Sequence, residues 1–418
     1  MIRRMMLAFV TAVTAPAYAD SYIEKLGNLR LNEVQYIATH NSYHIAPDWA
    51  VRWLLESSGY GRSTDWPGTR LSRALNYTHL PLAAQLDLGI RAVELDVHDD
   101  PEGGRFAHPN FVTAVANNHT PLEAPYDSEG AMQRPGFKVF HMADIDQRTT
   151  CTLFVKCLME IAQWSQNNPS HAPIIIFVET KQNGSLPLKA DGPIAADSKF
   201  VTGSWDRLQS EIKGVFSRRQ LLIPSDITPG TNGGWRWPTL RQAAGKIAFF
   251  LLDSQAASIG FRNEVQRPTD RLIFSGERPA KLAIINANLD PWVTLPDPQD
   301  QRIPLSAKRE MLTFTRADAD TEEARQNNGH RRDLAFSSGA NFISTDYPFP
   351  NKMFSDYAVS FSGGAYIRCN EALIASCGAI APASFVAKNV STNGTQAAPT
   401  NPAIGPSVDA STRGLEKP

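Results

Sequence analysis

Short runs of β-branched and apolar residues recur along the chain, separated by segments whose apolar positions return every three to four residues. Val34 to Thr39, Ala92 to Val97, Lys138 to His141, Ile174 to Thr180, Lys246 to Leu252, Ala283 to Asn286, Leu312 to Arg316 and Asn341 to Thr345 read as strands. Arg271 to Ser275 competes for the sixth place. Leu80 to Leu88, Cys151 to Ser165, Trp205 to Phe216, Leu240 to Ala244 and Thr321 to Asn327 carry helical apolar spacing. Eight strands alternating with helices predict an α/β fold, a closed TIM (β/α)8 barrel rather than a sandwich. Ser42 to Asn76, rich in tryptophan and glycine, reads as a long insertion after the first strand, placed to form part of a lipid-facing rim.

The ends of the chain depart from this pattern. A basic start at Arg3 and Arg4, a short apolar stretch and Ala17-Tyr18-Ala19 before Asp20 read as a signal peptide, residues 1–19, cleaved after Ala19. That stretch falls short of the roughly 20 apolar residues a bilayer requires, and no later segment qualifies. Residues 20–381 are expected to form one barrel domain. Residues 382–418, rich in Pro, Ser, Thr, Asn and Ala, are expected to be a disordered tail. A secreted or periplasmic, monomeric protein is the expectation.

Charge narrows the partners. With a formal net charge of −1 the chain has no basic excess to hold nucleic acid and no polybasic membrane anchor. Four cysteines in an exported chain suggest two bridges, and although three connectivities exist, spacing favours the local pairs Cys151 with Cys157 and Cys369 with Cys377.

Candidate chemistry gathers at the ends of the strand-like runs, where an α/β barrel collects its catalytic groups. His40 and His141 each end one run. Glu94 and Asp96, two residues apart on a strand, project to the same face and converge on one point. Asn41 adds an amide oxygen and Glu179 another carboxylate; an all-oxygen set favours a hard cation such as Ca2+ over zinc. Lys181 shares the Glu179 face and offers an ammonium to a phosphate oxygen, and Arg316 offers a planar fork of donors to phosphate or polyol. Asp253 and Asp346, also at strand ends, are in place to orient a histidine. The other histidines, His44 among them, and Asp99 and Asp100 read as structural, turn or solvated residues.

Ala38 to His44 (ATHNSYH), Arg91 to His98 (RAVELDVH), Phe137 to His141 (FKVFH) and Phe177 to Lys181 (FVETK) together resemble the calcium-dependent phosphatidylinositol-specific phospholipase C family of bacterial type. The later segments Arg316 to Asp320, Gly339 to Tyr347 and Arg368 to Asn370 extend the resemblance over roughly Leu31 to Cys377. It implies a distorted barrel of the phospholipase C-like phosphodiesterase architecture, His40 and His141 as catalytic histidines, and Asn41, Glu94, Asp96 and Glu179 as ligands of one Ca2+ ion. Metal-independent bacterial relatives carry an arginine where Asp96 stands, so the aspartate favours calcium. The implied substrate is phosphatidylinositol or a related phosphodiester lipid, met in transient contact with a membrane surface. In the implied reaction the inositol 2-hydroxyl attacks phosphorus, His141 protonates the departing diacylglycerol oxygen, and His40 donates a hydrogen bond to the transition state. Glu94 and His40 are both in place to remove the hydroxyl proton.

Three other functions fit parts of the pattern. A glycerophosphodiester phosphodiesterase or a sphingomyelinase D-like phospholipase shares the barrel and the paired histidines, but the former typically shows His-Arg-Gly where this chain has His40-Asn41-Ser42. A catalytically silent lipid-binding barrel is disfavoured by two intact histidines and a full ligand set. An exported enzyme of this fold acting on a soluble phosphodiester is the third.

Overall fold

The computed structural model describes residues 20–57, 67–182, 200–230, 234–276 and 291–379. The signal-peptide and tail segments, and the run Ala283 to Asn286, lie outside them. Among the described residues, eight parallel strands form the frame: β1 (Val34–Thr39), β2 (Ala92–His98), β3 (Ile174–Thr180), β4 (Ile247–Leu251), β5 (Ile273–Phe274), β6 (Trp292–Thr294), β7 (Leu312–Arg316) and β8 (Phe342–Thr345). Among these eight, every ladder joins neighbours in the series and β8 returns to pair with β1, while the two-residue strand Leu221–Leu222 adds a further parallel ladder to β4. Among the described residues no backbone ladder joins β5 to β6; instead the Trp292 indole N–H donates to the Phe274 carbonyl at 3.2 Å. This is a distorted (β/α)8 barrel.

β1 to β4 are buried along nearly their whole length, as strands covered on both faces are, with β3 and β4 the most apolar of them. Phe177 of β3 meets Phe250, Trp292, Phe314 and Phe342 from four other strands at ring-centroid distances of 5.1 to 5.9 Å. These rings form a packed layer inside the barrel, each pair adding about 0.5–1.5 kcal/mol beyond area burial. Strand alternation then decides what lies above it. Glu179 follows Phe177 by two residues and Arg316 follows Phe314 by two, so both side chains share the inner face at the C-terminal mouth. Register extends the logic to β2, where Glu94 lies beside Phe177 and Asp96 beside Glu179.

Three expectations are corrected. The run at 138–141 is not a barrel strand: Lys138–Val139 pairs antiparallel with the end of β2. The competitor at 271–275 is a barrel strand, and the sequence reading missed β6, whose three residues are too short for a periodic signal. Residues 240–245 form turns, not a helix. The insertion after β1 holds two packed helices, Trp49–Ser57 and Gly68–Ala74. Helices Leu82–Asp87, Phe154–Asn167, Ser204–Val215 and Glu322–Gln326 fall where the pattern placed them.

Both cysteine pairings are present, Cys151 with Cys157 and Cys369 with Cys377. They fit a protein matured in an oxidising compartment. No described helix is long and apolar enough to cross a membrane.

Candidate active site

His40 directly follows β1, and its N–H continues the ladder to the Thr345 carbonyl at 2.9 Å. Since Thr39 lies beside Thr345, His40 falls beside Asp346, and its Nδ1 meets Asp346 Oδ1 at 2.7 Å. A carboxylate only accepts, so Nδ1 carries the proton and Nε2 is the ring's second functional atom. The Arg316 guanidinium lies along the imidazole, with Nη1 3.4 Å from Nε2 and Nη2 3.3 Å from Nδ1. Burial, reinforced by Arg316 and opposed by Asp346, lowers the His40 pKa to about 4. Burial would raise Asp346, but His40 and Arg316 reverse this and hold it at about 2. Asp318 supports this unit from below, accepting the Asp346 N–H at 2.9 Å and the Thr345 hydroxyl.

His141 reaches the same place from an edge. Its predecessor Phe140 is clamped by His98, ring on ring at 3.8 Å and with the His98 Nε2 2.9 Å from the Phe140 carbonyl. A tight reversal closed by reciprocal backbone bonds between Met142 and Asp146 then brings Asp146 Oδ2 to 2.9 Å from His141 Nδ1. The same Oδ2 lies 2.7 Å from Nε2 of fully buried His44, whose Nδ1 faces the Tyr77 carbonyl at 3.0 Å. His40 and His141 line one cavity of about 270 Å³ with Tyr77, Arg316 and Asp346, and Leu71 and Leu75 supply an apolar wall.

Beside the histidines, Glu94, Asp96 and Glu179 place one carboxylate oxygen each within 4.8 Å of the others. Glu94 and Asp96 are essentially unexposed. Lys181 turns into this cluster, its Nζ 2.8 Å from Asp96 Oδ2 and 3.1 Å from Glu179 Oε1. Burial and the neighbouring Asp96 push Glu94 well above the usual carboxylate range. Burial dominates at Asp96 too, leaving it at about 6 despite Lys181. At Glu179 the same ammonium more than offsets burial and lowers the pKa. Segment Asn41-Ser42 is laced to Glu94: the Ser42 N–H donates to the Glu94 carbonyl at 2.9 Å, and the Glu94 N–H to Ser42 Oγ at 2.7 Å.

Among the described residues, Asn41 Oδ1 and Glu94 Oε2 are buried and have no hydrogen-bond donor. Orphaned acceptors of this kind cost about 1–3 kcal/mol each or more when charged, and a hard divalent cation satisfies them together. The donor set fits calcium.

The structure therefore brings together His40, His141, Asn41, Glu94, Asp96, Glu179, Lys181 and Arg316. Of the two aspartates in place to orient a histidine, Asp346 does so, whereas Asp253 accepts the Thr180 N–H and hydroxyl. His44, His79, His98 and His171 are buried, bonded, structural residues, and Asp100, whose carbonyl accepts the Gly103 N–H, opens a turn while Asp99 and Asp100 are also ion-paired to Arg207 and Lys138. Asp146 and Tyr77 went unread, and Asp318 was read only as an ion-pair partner for Arg316; an aspartate in a loop carries no periodic signal.

In a search of solved structures, the chain is similar to a calcium-dependent phosphoinositol-specific phospholipase C from the Gram-negative bacterium Pseudomonas sp. in two crystal forms. Both superpose with a TM-score of 0.50 and 15% identity, covering 85% and 86% of this chain and 99% and 100% of the other. A Ca2+-dependent phosphatidylinositol-specific phospholipase C from Streptomyces antibioticus gives a TM-score of 0.42 at 14% identity, over 76% of this chain and 94% of that one. No curated protein sequence matches. At these identities the structural likeness speaks for the fold alone, but the family model for Ca2+-dependent phosphoinositide phospholipase C matches residues 29–371. The chain thus belongs to the Ca2+-dependent phosphoinositide phospholipase C family, a family of phosphodiester-cleaving enzymes.

Proposed function

We propose that this protein cleaves phosphatidylinositol to diacylglycerol and inositol 1,2-cyclic phosphate, and then opens the cyclic ester to inositol 1-phosphate. The observation that carries this reading is the pair of cavity-lining histidines, each with Nδ1 tied to a buried aspartate, beside an oxygen-only cluster of orphaned acceptors. Asn41, Glu94, Asp96 and Glu179 would hold the cation. Bound there, calcium supplies a lowered pKa for the inositol 2-hydroxyl and charge compensation for the phosphoryl oxygens.

The chain's own groups do the rest. The 2-hydroxyl oxygen forms a bond to phosphorus as the bond from phosphorus to the glycerol oxygen breaks. His40, with Nδ1 bonded to Asp346, offers Nε2 to take the hydroxyl proton, which favours it over Glu94 as the acceptor and replaces the hydrogen-bond-donor role expected for it. Protonated His141 delivers its Nε2 proton to the departing glycerol oxygen while Asp146 keeps the ring oriented. Arg316 is placed to hold a phosphate oxygen through its fork. Lys181, turned inward, acts on the carboxylate cluster rather than on the phosphate. In the second stage water replaces the diacylglycerol oxygen and the two histidines exchange roles.

The same reading includes export and removal of residues 1–19. Asp20, then the first residue, has its carboxylate bonded to Arg91 at 3.0 Å and to the Ala172 N–H at 3.0 Å. Transient membrane contact falls to the insertion, where Trp53 is 43% exposed; Tyr60 and Trp66 lie outside the described residues. The test is diacylglycerol release from vesicles of phosphatidylinositol, phosphatidylcholine or sphingomyelin. Release from phosphatidylinositol alone, abolished by a calcium chelator, is expected; turnover of another lipid in its place would reassign the substrate.

A further inference from the structure

Tyr77 lies outside every motif that drew attention to the site, yet it touches both halves of it. Its ring is almost fully buried, stacked on His44 at 4.2 Å between centroids, with His79 edge-on at 5.6 Å. Its backbone carbonyl faces the His44 ring at Nδ1. So held, its hydroxyl oxygen accepts the Asn41 Nδ2–H at 3.0 Å. His40 Nδ1 is also 3.5 Å away, but its proton is directed to Asp346.

An asparagine amide presents a donor at one end and an acceptor at the other, and only the acceptor end can ligate a cation. With Nδ2 fixed on Tyr77, Oδ1 points away from the phenol, buried and without a donor among the described residues. Asn41 has a left-handed backbone, φ 45°, which asparagine tolerates better than most residues. The Tyr77 hydroxyl can donate as well as accept, and by accepting Nδ2–H it supports the amide orientation that leaves Oδ1 for a cation.

We propose that Tyr77 is a positioning residue for the metal centre: its hydroxyl locks the Asn41 amide with Oδ1 directed at the cation. The proposal rests on the reading of Asn41 as a calcium ligand. Tyr77→Phe keeps the ring and its stack on His44 while freeing the amide to turn. One hydrogen bond of ordinary strength corresponds to a loss of calcium affinity of about fivefold.

The experiment is calorimetric titration of chelator-stripped protein with calcium alone, in a double-mutant cycle with Asn41→Asp, whose two oxygens make the orientation immaterial. Asn41→Ala, which has no amide to orient, serves as a second background, and unfolding midpoints in chelator show that each variant is folded. Tyr77→Phe is expected to weaken calcium about fivefold in the unaltered background and less than about twofold in either Asn41 variant. Equal losses in all backgrounds, or no loss with Asn41 present, would overturn the role given to Tyr77. A failure of the unaltered protein to bind calcium would remove the calcium reading itself, and this inference with it.

Discussion

The Lys181 ammonium stands 2.8 Å from Asp96 Oδ2, inside the carboxylate cluster that the cation would neutralise. Burial lowers a lysine's pKa, but Asp96 and Glu179 more than reverse this, so Lys181 stays charged. It is a resident countercharge for three crowded acids.

Replacing Lys181 with methionine should therefore destabilise the calcium-free protein by about 2–3 kcal/mol, at the low end for a broken buried pair because the lysine keeps some solvent contact. Calcium should restore most of that stability. Unfolding midpoints in chelator and in calcium measure both; a variant as stable as the parent in chelator would show the pair to be incidental.

Asp96→Asn removes one charge from the ligand set while keeping its shape. Calcium affinity should fall about 10- to 100-fold, in line with the effect of charge count on such sites. Calcium titration of both proteins checks this, and an unchanged affinity would take Asp96 out of the coordination shell.

For the histidines, His40→Ala and His141→Ala should each lower turnover about a thousandfold, the range of general acid–base catalysis, with the fold intact. Because Asp146 acts through His141, the His141→Ala, Asp146→Asn double variant should turn over no more slowly than His141→Ala alone. Additive losses would give Asp146 a separate task.

Much of this was legible in the sequence. Glu94, Asp96 and Glu179 announced themselves because two-residue alternation on an apolar strand fixes the face, and parallel register then sets Asp96 beside Glu179. His141 was found for a partly mistaken reason: it ends an antiparallel appendage to β2, not a barrel strand. Asp146, His44 and Tyr77 were not legible, since they converge through loops whose geometry depends on a left-handed Asp144 and on long-range bonds that no local period encodes.

Away from the site, His171 makes a separate, pH-dependent contribution. Burial lowers its pKa to about 4, with Nδ1 2.7 Å from the Ala172 carbonyl and Nε2 2.8 Å from Ser165 Oγ. Its folded pKa lies below the unfolded value of about 6.5, so between these limits the unfolded chain binds more protons and stability falls as the pH falls. Its share of the loss from pH 7 to pH 5 is about 2 kcal/mol. Urea unfolding at the two pH values should show a shallower pH dependence for His171→Gln; identical slopes would contradict the assignment.

The most direct test of the account is phosphorus NMR of phosphatidylinositol micelles incubated with the mature protein, with calcium and with chelator. The account predicts a cyclic inositol phosphate resonance that appears first, only with calcium, and later gives way to inositol 1-phosphate. Cleavage without a cyclic intermediate, or cleavage undiminished by the chelator, would contradict it.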